Sequence, residues 1–387
     1  MFLDNIQNVW NASPVSVAIA IVIVFLGIIL YYNRDRNLPP GPTGIPILGI
    51  YPFLSNEKCH LELDEYGKKY GSLYSFRVAE QLYVNLGSPK LIREVHVTKS
   101  EIFSNRHNEF NIFAYVLDEA FHCRYLIFRW MPNYRPMVSN HKLMVDAIYR
   151  IIDDHESTLD EDNIRDVMDA YLKERNDRRR EKDPSAKYFT RKSLMSSFAQ
   201  FIGDSLVVVH AVGACFHSLL EHPEEQDKIY KEILEVVGPD RQPSLEDKSN
   251  LSYTNAFIFE VFRTSDFFPF FPSLMSTKEV TIQGYRIPKG TIALMNMWSA
   301  HHDPEEYEEP YKFDPSRYIV KLGKKKPELP FTFGRGKRSC IGEAFTMMHV
   351  FLFLTNIVKN FRLSLPEGEE TNTSLYSLKL NLCAKSR

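Results

Sequence analysis

Cys340 lies in the run Phe333-Gly334-Arg335-Gly336-Lys337-Arg338-Ser339-Cys340-Ile341-Gly342, just before an apolar stretch over residues 344–361. Glycines at 334, 336 and 342 let a backbone turn tightly and lie close to a flat group. Arg338 sets a fixed positive charge two residues from the sulfur. That setting suits a thiolate, the form of cysteine that ligates metal. A cysteine among glycines is by itself more often a buried structural thiol.

Other residue types with chemical potential are spaced along the chain. Glu260 and Arg263 stand three apart, which puts both on one face of a helix. Arg317 lies in Pro310-Tyr-Lys-Phe313-Asp-Pro315-Ser-Arg317-Tyr318. Asp204 and Ser205 place an acid beside a hydroxyl in an apolar run. His122, His210, His217, His301 and His302 have no metal-ligand spacing to other cysteines or carboxylates and read as structural or surface histidines. Gly334-Arg-Gly336 does not follow a strand-to-helix nucleotide pattern. Lys321, Lys324, Lys325, Lys326, Arg335 and Lys337 form a basic cluster near the cysteine. It reads equally as a docking face for a partner protein and as a solvated charge run.

Together these segments resemble the cytochrome P-450 haem-thiolate monooxygenases. The family's cysteine loop reads Phe-x-x-Gly-x-Arg-x-Cys-x-Gly, and Phe333, Gly336, Arg338, Cys340 and Gly342 match each fixed position. Glu260-Val-Phe-Arg263 matches the family's Glu-x-x-Arg pair, and Arg317 matches the arginine that completes a triad with it. Gly284-Tyr-Arg-Ile-Pro-Lys-Gly290-Thr291 and Asn296-Met-Trp298-Ser-Ala-His301-His-Asp303-Pro304 resemble the hairpin and the strand and turn that follow. Order and spacing agree from residue 222 onward. The resemblance implies a mainly α fold with small β-sheets. It implies that Cys340 is the axial ligand of haem b, pushing electron density onto the iron and favouring O–O cleavage. It further implies hydroxylation of an apolar small molecule such as a steroid, lipid or xenobiotic. Electrons would come from NADPH-cytochrome reductase, with a cytochrome b-type donor as a second source. The long central helix would cross the oxygen side at residues 203–207, with Asp204 and Ser205 as acid and hydroxyl.

The chain departs from the family in three places. The family's tryptophan- and arginine-bearing helix, which holds a haem propionate, and the two helices after it belong between Asn105 and Phe113 and are absent. That implies an internal deletion with a junction near residues 107–111. Met275 stands where the family has an arginine or histidine for the other propionate, leaving Arg338 as the one cation named for the two propionates. The oxygen-side run has no acid–threonine pair, and Asp204 and Ser205 are out of its register. The competing expectation is a truncated, non-catalytic family member with weak or no haem binding.

The elements that must position these residues are legible in outline. The 387 residues, 44% of them hydrophobic, are enough for a large core, and a net charge of −2 does not suggest nucleic acid as a partner. Five cysteines without a disulfide-like pattern suit a reduced, cytosol-facing body. Residues 15–32 are uncharged and apolar, with Asp4 before them and Arg34 and Arg36 after. This pattern predicts a single membrane span with residues 1–14 lumenal. For such a chain the expected place is the endoplasmic reticulum membrane, with the catalytic domain cytosolic. A proline-rich linker over 33–50 leads to a catalytic domain over 51–387. Alternation predicts two strands over 71–86. Helices are predicted over 89–97, 137–159, 164–172, 190–221, 224–237 and 251–265, and strands over 280–282 and 292–296. The charged run 174–187 reads as a solvated loop.

Overall fold

The computed structural model describes residues 17–19, 21–23, 25–26, 37–46, 48–55, 58–78, 81–106, 134–265, 269–319, 328–369 and 381–387, with backbone alone at 134–137, 204 and 272. In chain order the elements begin with α1 (Cys59–Tyr70), β1 (Leu73–Val78) and β2 (Gln81–Leu86). Next come α2 (Pro89–Ile92), a widened π-type turn (Arg93–Thr98) and β3 (Phe103–Arg106). Five helices follow: α3 (Tyr134–Thr158), α4 (Val167–Arg180), α5 (Arg191–Glu221), α6 (Pro223–Val236) and α7 (Ser252–Thr264). Then come β4 (Phe270–Ser276), β5 (Val280–Ile282), β6 (Tyr285–Ile287), β7 (Ile292–Asn296) and α8 (Met297–His301). The last elements are α9 (Glu343–Asn360), β8 (Phe361–Ser364) and β9 (Cys383–Ser386). The fold is mainly helical with small sheets.

The chain divides into two compact units. The first comprises Met1–Arg106, Phe268–Phe313 and Pro327–Cys340. Its five-stranded sheet runs β1-β2-β7-β4-β3, with β2 and β7 parallel and the other pairs antiparallel. Strand β7 is apolar at four of its five positions because it is an inner strand. Strand β4 has no clear alternation, and the sequence did not predict it. It forms because β7 and β3 pair with its two edges. Its register shifts between Phe271 and Leu274, where Pro272 has no amide hydrogen to give. Leu86, Leu91, Ile92, Val95, Phe103, Leu274, Met295 and Phe331 fill the core against this sheet. The hairpin β5–β6 turns at Gly284, whose φ of +84° favours glycine.

The second unit comprises His107–Phe267, Asp314–Lys326 and Ile341–Arg387. Thr190 caps α5, accepting the Ser193 N–H at 3.0 Å. Helix α5 packs against α3, α6, α7 and α9. Its C-terminal half is buried through Ala211, Ala214, Cys215, Leu219 and Leu220. Near its middle, Phe201, Ile202, Leu206 and Val209 are exposed. By length and composition α5 could cross a membrane, a property shared with the core helices of soluble folds. Most of the predicted span at 15–32 lies outside the described residues. Positions 17–19, 21–23 and 25–26 within it are helical and exposed. The junction at 107–111 and the apolar run after it also lie outside.

The charged run at 174–187 is helical through Arg180, and a loop and short turn only beyond it. Helix α4 continues to Arg180, because Lys173–Asp177 and Glu174–Arg178 make i,i+4 ion pairs and Arg175 is buried against Glu156 at 2.5 Å. A short 3-10 turn at Pro184–Tyr188 ends it. The helix starts at Val167 because Asp166 caps it, accepting from the N–H groups of Met168 and Asp169.

His155 on α3 ties this cap to the preceding helix. Its Nδ1 is 2.8 Å from the Ile151 carbonyl oxygen and its Nε2 is 2.9 Å from Asp166 Oδ2. Both neighbours accept, so the protonated ring, with an N–H on each nitrogen, satisfies both. Burial opposes that charge, but Asp166 and the Ile151 carbonyl outweigh it and raise the imidazole above the usual histidine range. The pair's contribution is therefore fully present below about pH 6.5, the unfolded value, and is lost as pH rises through the folded one. For a pair this open to solvent the expected size is at most about 1 kcal/mol. Urea midpoints measured from pH 5 to 8 should show that loss, and His155→Gln should remove it. Equal pH profiles for the two proteins would refute the linkage.

Candidate functional site

The cysteine loop is built in the first unit by two glycines and a series of backbone hydrogen bonds. Gly334 has φ +70° and Gly336 φ +80°, conformations that side chains resist. A Cβ on Gly336 would lie 1.8 Å from the His96 carbonyl oxygen, and one on Gly334 would meet the Phe271 ring at 2.6 Å. The loop backbone therefore rests directly on the π-type turn and on β4. The Cys340 N–H donates to the Phe333 carbonyl at 2.8 Å, and the Ser339 N–H to that of Gly336 at 3.2 Å. Phe333 is buried, whereas Cys340 is exposed. Ile341, the next residue, is fully exposed, which is unusual for an apolar side chain. Gly342 caps α9 at φ −86°, a conformation open to any residue, so it does not need glycine for its backbone.

The charges around the loop are settled individually. Arg338 is exposed, and its Nε donates to the Ser104 carbonyl oxygen at 3.1 Å. Lys337 pairs with Glu101, and that pairing lowers the Glu101 carboxyl below its usual range. Arg335 folds over the Phe331 ring at 4.8 Å and donates to the carbonyls of Leu329, Pro330 and Gly334. Lys321 and Lys324 to Lys326 lie outside the described residues.

The other described cysteines differ from Cys340. Cys215 is wholly buried, and burial pushes its thiol far up, which makes it inert. Cys59 is half-buried, with its thiol raised by burial and then by Glu62. Cys383 is exposed on β9, away from any glycine loop.

In the second unit Glu260 and Arg263 face each other, both fully buried. Arg263 Nε and NH2 each donate to a Glu260 oxygen at 2.8 Å, a bidentate pair. Glu260 Oε1 also accepts the Asp314 N–H at 2.8 Å and Arg317 Nε at 3.1 Å. The pair is therefore a core network and not a surface ion pair. On α5 the Ser205 Oγ donates to the Ile202 carbonyl at 2.7 Å, and Ser205 is exposed. The side chain of Asp204 lies outside the described set. Among the described residues, one group of carboxylates and histidine clusters as metal ligands do: His155, Asp166 and Asp169, within 4.8 Å of one another. Both Asp169 oxygens already accept from Arg165, which fills the cationic role.

Comparison with known proteins decides what this loop belongs to. The sequence profile of the family described as cytochrome P450 matches residues 39–121 and 111–385. The chain belongs to the cytochrome P450 family. Relatives include cytochrome P450 1A1 of Sparus aurata, 36% identical over 226 residues, covering 57% of this chain and 43% of that one. Cytochrome P450 1A1 of Microgadus tomcod is 35% identical over 250 residues, covering 63% and 48%. Cytochrome P450 2J1 of Oryctolagus cuniculus is 25% identical over an alignment of 481 positions that covers 95% of each chain. This chain spans about half the length of the P450 1A1 relatives it matches.

The cytochrome P450 cofactor is a cysteine-ligated haem, and the residues here fit one. The exposed Cys340 ends a loop that its glycines hold directly on the π-type turn and β4, and the next residue, Ile341, is fully exposed. An apolar plate laid there would cover surface that otherwise faces water. The fit is poorer for the plate's carboxylates. Met275 pairs in register with Asn105 and brings no charge, so Arg338 is the cation at hand. The sequence reading did not single out Ser104 or His96 as supports of the loop. The contact of Ser104 with Arg338 depends on tertiary structure and not on local pattern.

Proposed function

We propose that this chain is a membrane-attached haem-thiolate monooxygenase that hydroxylates an apolar small molecule such as a steroid, lipid or xenobiotic. The observation that carries the reading is Cys340, the exposed thiol of a loop whose glycines let its backbone lie directly on the π-type turn and β4, with the next residue, Ile341, fully exposed. Cys340 would hold the iron, Arg338 would pair with a propionate, and Phe333, Gly336 and Gly342 would shape the loop. Bound haem supplies oxygen activation, which a thiolate ligand promotes. Asp204 and Ser205 would hold protons and water on the oxygen side. The Ser205 hydroxyl, now bonded to its own helix, would have to turn outward to do so. NADPH-cytochrome reductase, with a cytochrome b-type donor as a second source, would deliver electrons. The site of action would be the cytosolic face of the endoplasmic reticulum, with residues 15–32 as the anchor.

A second reading is a shortened, non-catalytic member of the family. It is favoured by Met275 and by the exposed apolar face of α5 at Phe201, Ile202, Leu206 and Val209. The family profile matches in two stretches that meet at residues 111–121, which supports a junction near there. The reduced carbon-monoxide spectrum of the purified chain separates the readings: a thiolate-type Soret band supports the first, its absence the second.

The missing propionate partners set the expected haem occupancy. A carboxylate taken out of water without a partner is unfavourable. Occupancy of the chain as written should be low. It should rise when a family helix carrying tryptophan and arginine is inserted after Arg106, and rise less with Met275→Arg. The ratio of haem absorbance to protein measures it, and full occupancy of the unaltered chain would refute this account.

A further inference from the structure

His301 ends α8 and is almost wholly buried. Its Nε2 lies 2.7 Å from the amide nitrogen of Phe331. A backbone N–H can only donate, so Nε2 offers a lone pair and the proton of the neutral ring sits on Nδ1. The two rings lie nearly parallel, 18° apart with centroids at 6.1 Å. The Arg335 guanidinium also covers Phe331. From Phe331 the bonding continues toward the cysteine. The Phe331 carbonyl accepts the Gly334 N–H at 2.7 Å, and the Phe333 carbonyl accepts the Cys340 N–H. The imidazole lone pair therefore fixes the first residue of a short backbone series that ends on the amide of Cys340. Packing alone does not account for this geometry, because an apolar ring at 301 would fill the space and leave a buried N–H without an acceptor.

We propose that His301 is a positioning residue whose neutral, Nδ1-protonated ring holds Phe331 and through it sets the Cys340 sulfur as a metal ligand. This rests on the reading of Cys340 as the haem ligand. Without the acceptor the Phe331 N–H must turn to another partner. The segment 331–334 then shifts, and the sulfur is held less firmly in place.

Three variants of the full chain test this. His301→Gln carries an amide oxygen to about the reach of Nε2, His301→Asn stops short of it, and His301→Leu keeps bulk without an acceptor. Each is purified in detergent, supplied with haem and read by its reduced carbon-monoxide spectrum. Hydrogen exchange at the Phe331 and Cys340 amides is followed in the haem-free proteins. His301→Leu and His301→Asn should lose at least half of the thiolate-type band to the thiol-type band and speed Phe331 exchange at least tenfold. His301→Gln should recover most of both. The proposal is overturned if Asn and Leu keep the unaltered band ratio and exchange rate, or if Gln falls as far as they do. Should Leu not fold, the contrast between Gln and Asn decides. If the unaltered chain itself lacks a thiolate-type band, the ligand reading fails. The exchange rate at Phe331 then still decides whether His301 holds the loop.

Discussion

Cys340→Ala is expected to remove the thiolate-type carbon-monoxide spectrum completely while leaving the fold intact. The sulfur is exposed, and the hydrogen bond of this residue to Phe333 uses the backbone N–H, which alanine keeps. Surface substitutions of this kind shift stability by no more than about 0.5 kcal/mol. The ligand, by contrast, has no substitute on the loop: serine precedes it and isoleucine follows. Cys215→Ala should behave in the opposite way. That side chain is fully buried on α5 and acts as a small apolar group, so its removal should lower the unfolding midpoint and spare the spectrum. A thiolate-type band surviving in Cys340→Ala would show that the ligand has been misassigned.

The largest expected loss of stability comes from Glu260→Gln. It removes the charge that the wholly buried Arg263 guanidinium meets through two nitrogens, and weakens the bonds to Arg317 and the Asp314 N–H. Removing one partner of a buried ion pair typically costs about 3–5 kcal/mol. A domain of ordinary stability has only about 5–15 kcal/mol in total. The variant should therefore be poorly soluble or unfold at markedly lower denaturant than the unaltered chain. Arg317→Lys should cost less, because Arg317 is partly exposed and a lysine keeps the positive charge beside Glu260. Denaturation midpoints of the three proteins give the order. A shift below about 1 kcal/mol for Glu260→Gln would mean that the network is not what holds α7 to the turn at Pro315–Tyr318.

The sequence alone determined what depends on short spacing. The glycines, arginine and cysteine of residues 333–342 define their loop because the strained turns at 334 and 336 and the ligand lie within one short segment. Glu260 and Arg263 share a helix face because three residues make close to one turn. The helical periods of α3, α5, α6 and α7 were equally readable, since each buries one stripe of a continuous segment. Tertiary structure decided what depends on partners far along the chain. Glu260 finds the Asp314 N–H and Arg317 at separations of 54 and 57 residues, which turns a helix ion pair into a buried network. Strand β4, with a proline inside it, becomes a strand only because β7 and β3 lie along its two edges. The charged run of α4 is helical because its ion pairs close at i,i+4 and Arg175 finds Glu156 on α3. His301 looked like one more structural histidine until the loop carrying Phe331 was laid beside it. Local periodicity records which face of an element is apolar. It carries no record of which distant backbone amide or carboxylate meets that face, and the supports of the Cys340 loop are of that second kind.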